Sequence, residues 1–179
     1  GRRVAKRRLI ILEQAKARLI RHEFPPVWNS RSRILILGSF PSVKSREEGF
    51  YYGNPRNRFW DTLAGVLGAE TPLTIEEKKE FLLSRGIAIW DVIAECEITG
   101  SSDSSIRNVT PADIGALLSK TDIRAIYANG GTAAKLYEKY CEPVTRRGIR
   151  RLPSTSPANA AYSLERLKTN WREIVCMMS

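Results

Sequence analysis

The sequence predicts an α/β fold, a three-layer α/β/α sandwich around a central, mostly parallel sheet of four strands. Short aliphatic runs alternate with helical patterns along the chain, which is typical of a parallel sheet covered by helices on both faces. The length of 179 residues is that of one domain. The apolar fraction of 42% is enough for a hydrophobic core.

The clearest strand is a run of four aliphatic residues at 34–37, between Arg33 and Gly38. A continuous apolar run of this length is typical of a strand buried on both faces. Three further apolar runs complete the predicted strands, at 87–93, 123–128 and 149–152.

Helical patterns and loops fill the remaining segments. Thr74 and Glu77 have the spacing of a capping box, which predicts a helix that ends at Gly86. Apolar spacing and cap residues predict the other helices at 3–21, 57–67, 111–120 (with Thr110 as its N-cap), 131–140 and 163–178. The predicted loops are 39–56, 96–108 and 153–159.

The net charge of +10 is concentrated at the start of the chain. Residues 1–21 carry eight basic residues and one acid, a net charge of +7, which leaves +3 for residues 22–179. We therefore divide the chain into a basic N-terminal arm or helix, residues 1–21, and a single domain, residues 22–179. A basic surface favours a polyanion, either nucleic acid or an anionic membrane, although the arm could equally be only a solvated helix.

Composition argues against several kinds of protein. No run approaches the ~18 apolar residues of a membrane helix, so we expect no membrane partner. The three cysteines form no CxxC pair, which disfavours zinc ribbons, iron–sulfur clusters and disulfide frameworks and fits a reducing compartment. His22 is the only histidine, which disfavours Ser-His-Asp and Cys-His catalysis and a histidine-ligated metal site.

Ligands of such sheets bind outside the carboxyl ends of the strands, where the loops that begin at Gly38, Asn129 and Pro153 leave the sheet. The first loop carries rings that can stack on a planar base and amides that can contact a base edge or a water. These residues are Phe40, Tyr51, Tyr52, Asn54 and Asn57. The alternative is a loop that packs on its own aromatic residues, with Asn57 as a helix cap.

The last loop contains Ser154, Thr155 and Ser156 at a junction between a strand and a helix. Hydroxyls and backbone N–H groups at such a junction suit phosphate oxygens. Four arginines precede it, at 146, 147, 150 and 151, and the turn at 129–131 is another possible phosphate cradle. The alternative is a capped helix start beside a solvated edge strand.

Together, the outer loops resemble the uracil-DNA glycosylase superfamily over about residues 22–178. The resemblance rests on Gly-x-x-Pro from Gly38, Asn-Pro-x-Asn-Arg-Phe-Trp from Asn54, and Pro-Ser-x-Ser from Pro153. The pattern is most similar to the deoxyinosine (hypoxanthine)-DNA glycosylase branch, which is related to the mismatch-specific uracil/thymine-DNA glycosylases.

This resemblance implies a monofunctional DNA glycosylase of base excision repair. The enzyme would flip a deaminated base, with hypoxanthine favoured, out of DNA and hydrolyse its N-glycosidic bond, leaving an abasic site without a metal or cofactor. We expect DNA as its partner, a monomeric state, and a location in the cytoplasm of a prokaryote or the nucleus of a eukaryote.

The resemblance also implies roles for individual residues. Relatives hold the attacking water with an Asp or Asn at the position of Ser39, so we assign the water to Asn57, with Asn54 as the rival. The predicted base-binding residues are Gly38, Phe40, Tyr52 and Asn129. Phe40 and Tyr52 would stack on the base, and the Phe40 backbone N–H would contact its O6 edge.

The remaining predicted residues contact DNA. Ser154, Thr155 and Ser156 would bind the flanking phosphates, and Pro157, Ala158 and Asn159 would form the wedge that fills the vacated stack. Ser42, Arg147 and Arg150 complete this set, the arginines by attracting the backbone. Asp103, Ser104 and Ser105 also match a family segment, without a derived role.

Three alternatives stay open. One is a glycosylase for uracil or mismatched thymine, and another is a non-catalytic nucleic-acid-binding domain, which the serine at position 39 favours. A small-molecule nucleoside hydrolase is disfavoured because the sequence lacks an acidic metal cluster and is basic.

Overall fold

A computed structural model of the protein describes residues 2–14, 17–99 and 105–179. Its helices are α1 (Arg2–Gln14), α2 (Val43–Glu48), α3 (Phe59–Leu67), α4 (Ile75–Ser84), α5 (Ile114–Ser119), α6 (Gly131–Tyr140), α7 (Glu142–Thr145), α8 (Leu164–Trp171) and a final 3₁₀ helix (Arg172–Met177). Its strands are β1 (Ala17–Arg21), β2 (Ile34–Gly38), β3 (Ile87–Asp91), β4 (Ile93–Thr99), β5 (Arg107–Pro111), β6 (Ala125–Asn129) and β7 (Arg150–Leu152).

The central sheet has four parallel strands in the order β3-β2-β6-β7, which confirms the predicted sheet. Every residue of β2 is buried, as its continuous apolar run predicts. The strands pair in register, with Gly38 opposite Asp91. Since all four strands run the same way, their carboxyl ends meet at one edge.

Helices cover both faces of this sheet, which confirms the three layers. On one face, Ile36 packs in a cluster with Phe59 of α3 and Trp171 of α8. On the other, Leu35 packs in a cluster with Tyr137 of α6. Burial of each such side chain contributes about 1.5–3 kcal/mol. No helix in the described part of the chain is both long and apolar enough to span a bilayer.

A second sheet of three antiparallel strands, β1-β4-β5, stands beside the first and was not predicted. The helix predicted over 3–21 is wrong for Ala17–Arg21, which forms β1 and pairs with β4 along its length. Pairing with an existing edge outweighs the local helical spacing. Residues 15–16 lie outside the described ranges. The division of the chain after residue 21 stays a prediction.

The strand predicted over 87–93 is two strands with a break at Val92, whose N–H donates to Gly38 O at 2.9 Å. This bond turns the chain from the central sheet into the second sheet. The loop predicted over 96–108 is wrong at both ends, because β4 continues to Thr99 and β5 begins at Arg107.

Local caps correct three further boundaries. The predicted loop 39–56 contains α2, which Ser42 caps by accepting from Ser45 N–H. α5 begins after Asp113, which caps it in place of Thr110. The helix predicted over 163–178 is α-helical only to Trp171 and continues as a 3₁₀ helix. By contrast, α6 has the predicted bounds.

Candidate active site

A cavity of about 150 Å³ lies at the carboxyl edge of the central sheet. It is smaller than the about 300–1,000 Å³ of pockets for drug-sized ligands, as suits a single base. Predicted residues that line it are Gly38, Ser39, Phe40, Ser42, Tyr52, Asn57, Asn129, Ser154 and Ser156. Asn54 does not line it. Its side chain instead accepts from Arg56 N–H at 3.0 Å and shapes the turn.

Gly38 allows two polar groups to approach the end of β2. A Cβ at this position would lie 2.4 Å from Asp91 Oδ1 and 3.0 Å from the Tyr52 hydroxyl oxygen. Both distances are too short for a carbon atom to be accommodated unless these groups move. Glycine is therefore required here by space, and it places Asp91 and Tyr52 next to one another at the cavity.

The Tyr52 hydroxyl is buried and donates no hydrogen bond to the residues described, while Asn129 lies close enough to it to lower the pKa of the phenol. One face of its ring stacks on Phe59, with centroids 3.9 Å apart, and its φ of 53° holds this orientation. Burial, with the nearby Asp91 charge, raises the pKa of the Tyr52 phenol well above its usual range. The hydroxyl is therefore a neutral donor available to a ligand.

Asn57 is oriented by a network that joins three loops. Its Oδ1 accepts from Phe59 N–H at 3.0 Å and from the Thr155 hydroxyl at 2.7 Å. The Thr155 hydroxyl in turn accepts from Asn129 Nδ2 at 2.9 Å, and Asn129 Oδ1 accepts from Thr155 N–H. Both lone pairs of Asn57 Oδ1 are thus in use, which leaves the Nδ2 amide as its working group.

The same network corrects the role of Thr155. Its side chain is fully buried and its hydroxyl is held between Asn57 and Asn129. The prediction that this hydroxyl binds a phosphate is wrong, and only Ser154 and Ser156 of the three face the cavity.

Arg58 fixes the shape of the last loop, which sequence reasoning missed. Its guanidinium donates to the carbonyls of Ser156, Asn159 and Tyr162. Its backbone N–H donates to Thr155 O at 3.0 Å. The arginine of the Asn-Arg-Phe-Trp motif therefore ties the first and last loops together.

A groove of about 1550 Å³ opens beside the cavity and shares Ser39, Asn129, Ser154 and Ser156 with it. Its described lining includes three cations, Arg107, Lys139 and Arg151, and no carboxylate. Ala158 and Asn159 also line it. The wall formed by Arg107 and Asn108 comes from β5 and was not predicted.

Arg147 and Arg150, which are predicted to bind DNA, are not among the residues that line this groove. Successive residues of a strand point to opposite faces, and Arg150 lies beside Tyr127 on the face covered by the final helices. Burial raises the pKa of Tyr127, and the charge of Arg150 opposes that rise. Arg151 enters the groove instead and lies against Gly131, where a Cβ would be 2.5 Å from its Nη2.

The turn at 129–131 lines the groove, but the Gly130 N–H is not free to bind a phosphate. The Gly130 N–H donates to Leu152 O at 2.9 Å and is therefore committed to β7. Its φ of 94° and the nearness of Ser154 explain the glycine at this position.

His22 and Asp91 form a buried pair that sequence reasoning missed. His22 Nε2 lies 2.7 Å from Asp91 Oδ2, and their side chains are 4% and 5% exposed. Burial raises the pKa of the Asp91 carboxyl, and the hydrogen bond and charge of His22 oppose this rise. The signal for Asp91 was its place after an apolar run, at the ligand-binding edge. His22 carried no such signal, since its position depends on β1.

In the described part of the chain, no group of three or more His, Cys, Asp or Glu side chains is arranged to hold a metal ion. Asp103 and Ser104 lie outside the described residues. The site therefore consists of amides, hydroxyls, one carboxyl–imidazole pair and a cationic groove.

Comparison with known proteins identifies the class to which this protein belongs. The family model of the Uracil DNA glycosylase superfamily matches residues 25–176, and the chain belongs to this superfamily. This confirms the predicted family and the predicted class of enzyme, a DNA glycosylase.

Particular relatives agree over most of the chain. A protein of Methanosarcina acetivorans named hypoxanthine DNA glycosylase is 33% identical over 161 residues, covering 87% of this chain and 98% of the relative. One of Methanosarcina barkeri with the same name is 30% identical, covering 84% and 94%. A solution NMR structure of a candidate uracil DNA glycosylase from Methanosarcina acetivorans has a TM-score of 0.73 and 31% identity, covering 88% of this chain and 99% of that one.

Replacement of Gly38 tests the close approach at the cavity. We expect Gly38→Ala to lower the free energy of unfolding by about 1–3 kcal/mol through overpacking. The matched control is Gly115→Ala in α5, where the nearest atom to the added Cβ is 3.7 Å away. This change should stabilise by about 0.5–1 kcal/mol. Urea unfolding measures both, and equal effects of the two variants would contradict the argument.

Proposed function

We propose that the protein is a monofunctional hypoxanthine-DNA glycosylase that flips the damaged nucleotide and hydrolyses its N-glycosidic bond. The observation that carries this proposal is the small polar cavity that opens into a cationic groove. The cavity suits one extruded base, and the groove suits the DNA backbone. The names of the two Methanosarcina relatives support hypoxanthine as the substrate.

Hydrolysis of this bond passes through an oxocarbenium-like sugar and a departing base. A late, dissociative step needs a positioned water more than a strong base. The Asn57 Nδ2 amide, held by the two bonds to its Oδ1, would donate to the oxygen of a water beneath C1′. As that oxygen bonds to C1′ and the glycosidic bond breaks, the proton of the water would pass to the anionic departing base. Ser39 lines the same cavity and would contribute a second polar contact.

The base would lie against the Phe40 ring, with the Tyr52 hydroxyl at its edge. The Phe40 ring is edge-on to His22, with centroids 6.1 Å apart, and lies 5.7 Å from the Arg46 guanidinium. These neighbours hold the ring at the cavity, where it would stack on the base. Its backbone N–H would contact the O6 edge, and Asn129 would approach from the end of β6.

The DNA backbone would follow the groove. Ser154 and Ser156 would contact the phosphates beside the flipped nucleotide, and the segment 157–159 would fill its place in the stack. Arg151, Lys139 and Arg107 would supply the attraction along the groove. The basic N-terminal segment would add affinity that does not depend on sequence. The enzyme would act as a monomer on cellular DNA.

A panel of duplexes tests the proposal. Each duplex carries one hypoxanthine, uracil or mismatched thymine, and alkaline cleavage detects abasic sites. Release of hypoxanthine is expected to be fastest. A uracil glycosylase is the second candidate, because the NMR structure is described as one. Faster release of uracil in direct competition would favour that alternative, and release of no base would favour a binding domain.

Replacement of Asn57 tests the handling of water. Asn57→Ala should slow single-turnover release of hypoxanthine about 100-fold or more, because a misplaced reactant loses at least that much rate. Binding of the same duplex should change little. Asn54→Ala, outside the cavity, is the comparison variant. A larger loss for Asn54→Ala than for Asn57→Ala would reverse the assignment.

Replacement of arginines in β7 tests the path of the DNA. Arg151→Ala should reduce the slope of log K against log salt by about one, the effect of one lost phosphate contact. Arg150→Ala removes the same charge from the opposite face and should leave the slope unchanged. Titration of fluorescent duplex at several salt concentrations measures both. Equal slopes for the two variants would place the DNA elsewhere.

A further inference from the structure

The buried His22–Asp91 pair lies beside the cavity, which Asp91 lines, and the hydrolysis of the glycosidic bond does not use it. We propose that His22 is a positioning residue that holds Asp91 as a carboxylate, so that Asp91 Oδ1 accepts from the ring N–H of a deaminated base while the Tyr52 hydroxyl donates to the adjacent carbonyl. This inference rests on the proposed function and names the chemical feature that the enzyme selects.

The geometry assigns the two carboxylate oxygens to different partners. Asp91 Oδ2 faces His22 Nε2 at 2.7 Å. Asp91 Oδ1 lies on the other side, 2.4 Å from the point that a Gly38 Cβ would occupy. The Tyr52 hydroxyl oxygen is 3.0 Å from that same point. The Asp91 Oδ1 acceptor and the Tyr52 hydroxyl, whose O–H donates to no described residue, therefore stand side by side at the cavity.

This arrangement is complementary to a lactam edge. Hypoxanthine and uracil each present a ring N–H beside a carbonyl, a donor next to an acceptor. Adenine presents the reverse order, a ring nitrogen lone pair beside an amino group. A carboxylate has only acceptor atoms and so repels the adenine ring nitrogen. The Asp91 acceptor and the Tyr52 donor together thus distinguish hypoxanthine from adenine, the base from which it forms by deamination.

His22 is needed because burial favours the protonated form of the Asp91 carboxyl over the carboxylate. Burial raises the pKa of Asp91, and His22 is the group that opposes this. The other titratable groups that face Asp91 are the phenols of Tyr51 and Tyr52, whose pKa values burial and the Asp91 charge raise. Without His22, burial would favour the protonated carboxyl, which would present a donor to the N–H of the base.

The surroundings of His22 hold the ring in place. Its backbone N–H donates to Ala94 O at 2.8 Å, next to the β1–β4 pairing. Its ring contacts Phe24, with centroids 4.6 Å apart, and Tyr51, at 5.7 Å.

Three variants test the inference. His22→Phe keeps an aromatic ring but loses the donor, and we expect a loss of about 10- to 100-fold in kcat/KM for hypoxanthine at neutral pH. The activity should return as the pH rises and Asp91 loses its proton. His22→Gln keeps a donor near the Nε2 position and should recover most of the rate. Phe24→Leu alters the packing around His22 and Tyr51 but removes no polar group, so it should keep the wild-type pH profile.

A second measurement is independent of activity. Because His22 is the only histidine, its ring NMR signals are unambiguous. We expect a proton on Nε2, and this signal should move in Asp91→Asn. An unprotonated Nε2 would make Asp91 the donor and overturn the inference.

The kinetic outcomes separate this inference from the proposed function. A wild type inactive on hypoxanthine and on uracil defeats both. If the wild type is active, and His22→Phe keeps its kcat/KM for hypoxanthine within about threefold of the wild type with the same pH profile, only the inference is overturned. Equal losses in His22→Phe and His22→Gln, with unmoved profiles, would show a structural role and also overturn it. Thermal unfolding confirms that the compared variants are folded.

Discussion

The parallel pairing of β2 with β3 and β6 is the constraint on which the site depends. Parallel strands bring their carboxyl ends to one edge, so residues more than fifty positions apart become neighbours. Gly38, Asp91 and Asn129 each stand at or near such an end. The absence of a side chain at Gly38 then decides how closely the others approach. The remaining groups of the cavity are placed with reference to these three.

Hydrogen bonds between loops give this edge its rigidity. Thr155 joins Asn57 to Asn129, and Arg58 joins the loop before α3 to the loop before α8. The Thr155 hydroxyl and the Arg58 guanidinium hydrogen-bond to protein groups. They therefore position the residues that would contact the ligand and do not contact it themselves. A site that must orient a water for a dissociative reaction benefits from such preorganisation, because the amide does not reorganise during the step.

Sequence patterns predicted the central sheet and most of the cavity but not the second sheet. Continuous apolar runs such as 34–37 signal buried strands regardless of context, and parallel topology then predicts where their loops meet. β1 and β5 are short and largely exposed, and their pairing depends on β4. Nothing local distinguishes Ala17–Arg21 from a charged helix. The role of His22 was hidden for the same reason.

The sequence also did not predict the direction in which individual side chains point. Four arginines near the last loop predicted a DNA-binding role, yet the pleat of β7 sends Arg150 and Arg151 to opposite faces. Only the register with β6, Tyr127 opposite Arg150 and Ala128 opposite Arg151, decides which one reaches the groove. The net charge of +10 indicated a polyanion, but it carries no such directional information. In the proposed function, DNA binding therefore depends on which cations the strand alternation turns toward the groove, and the selection of the base depends on an acceptor and a donor held side by side at the cavity.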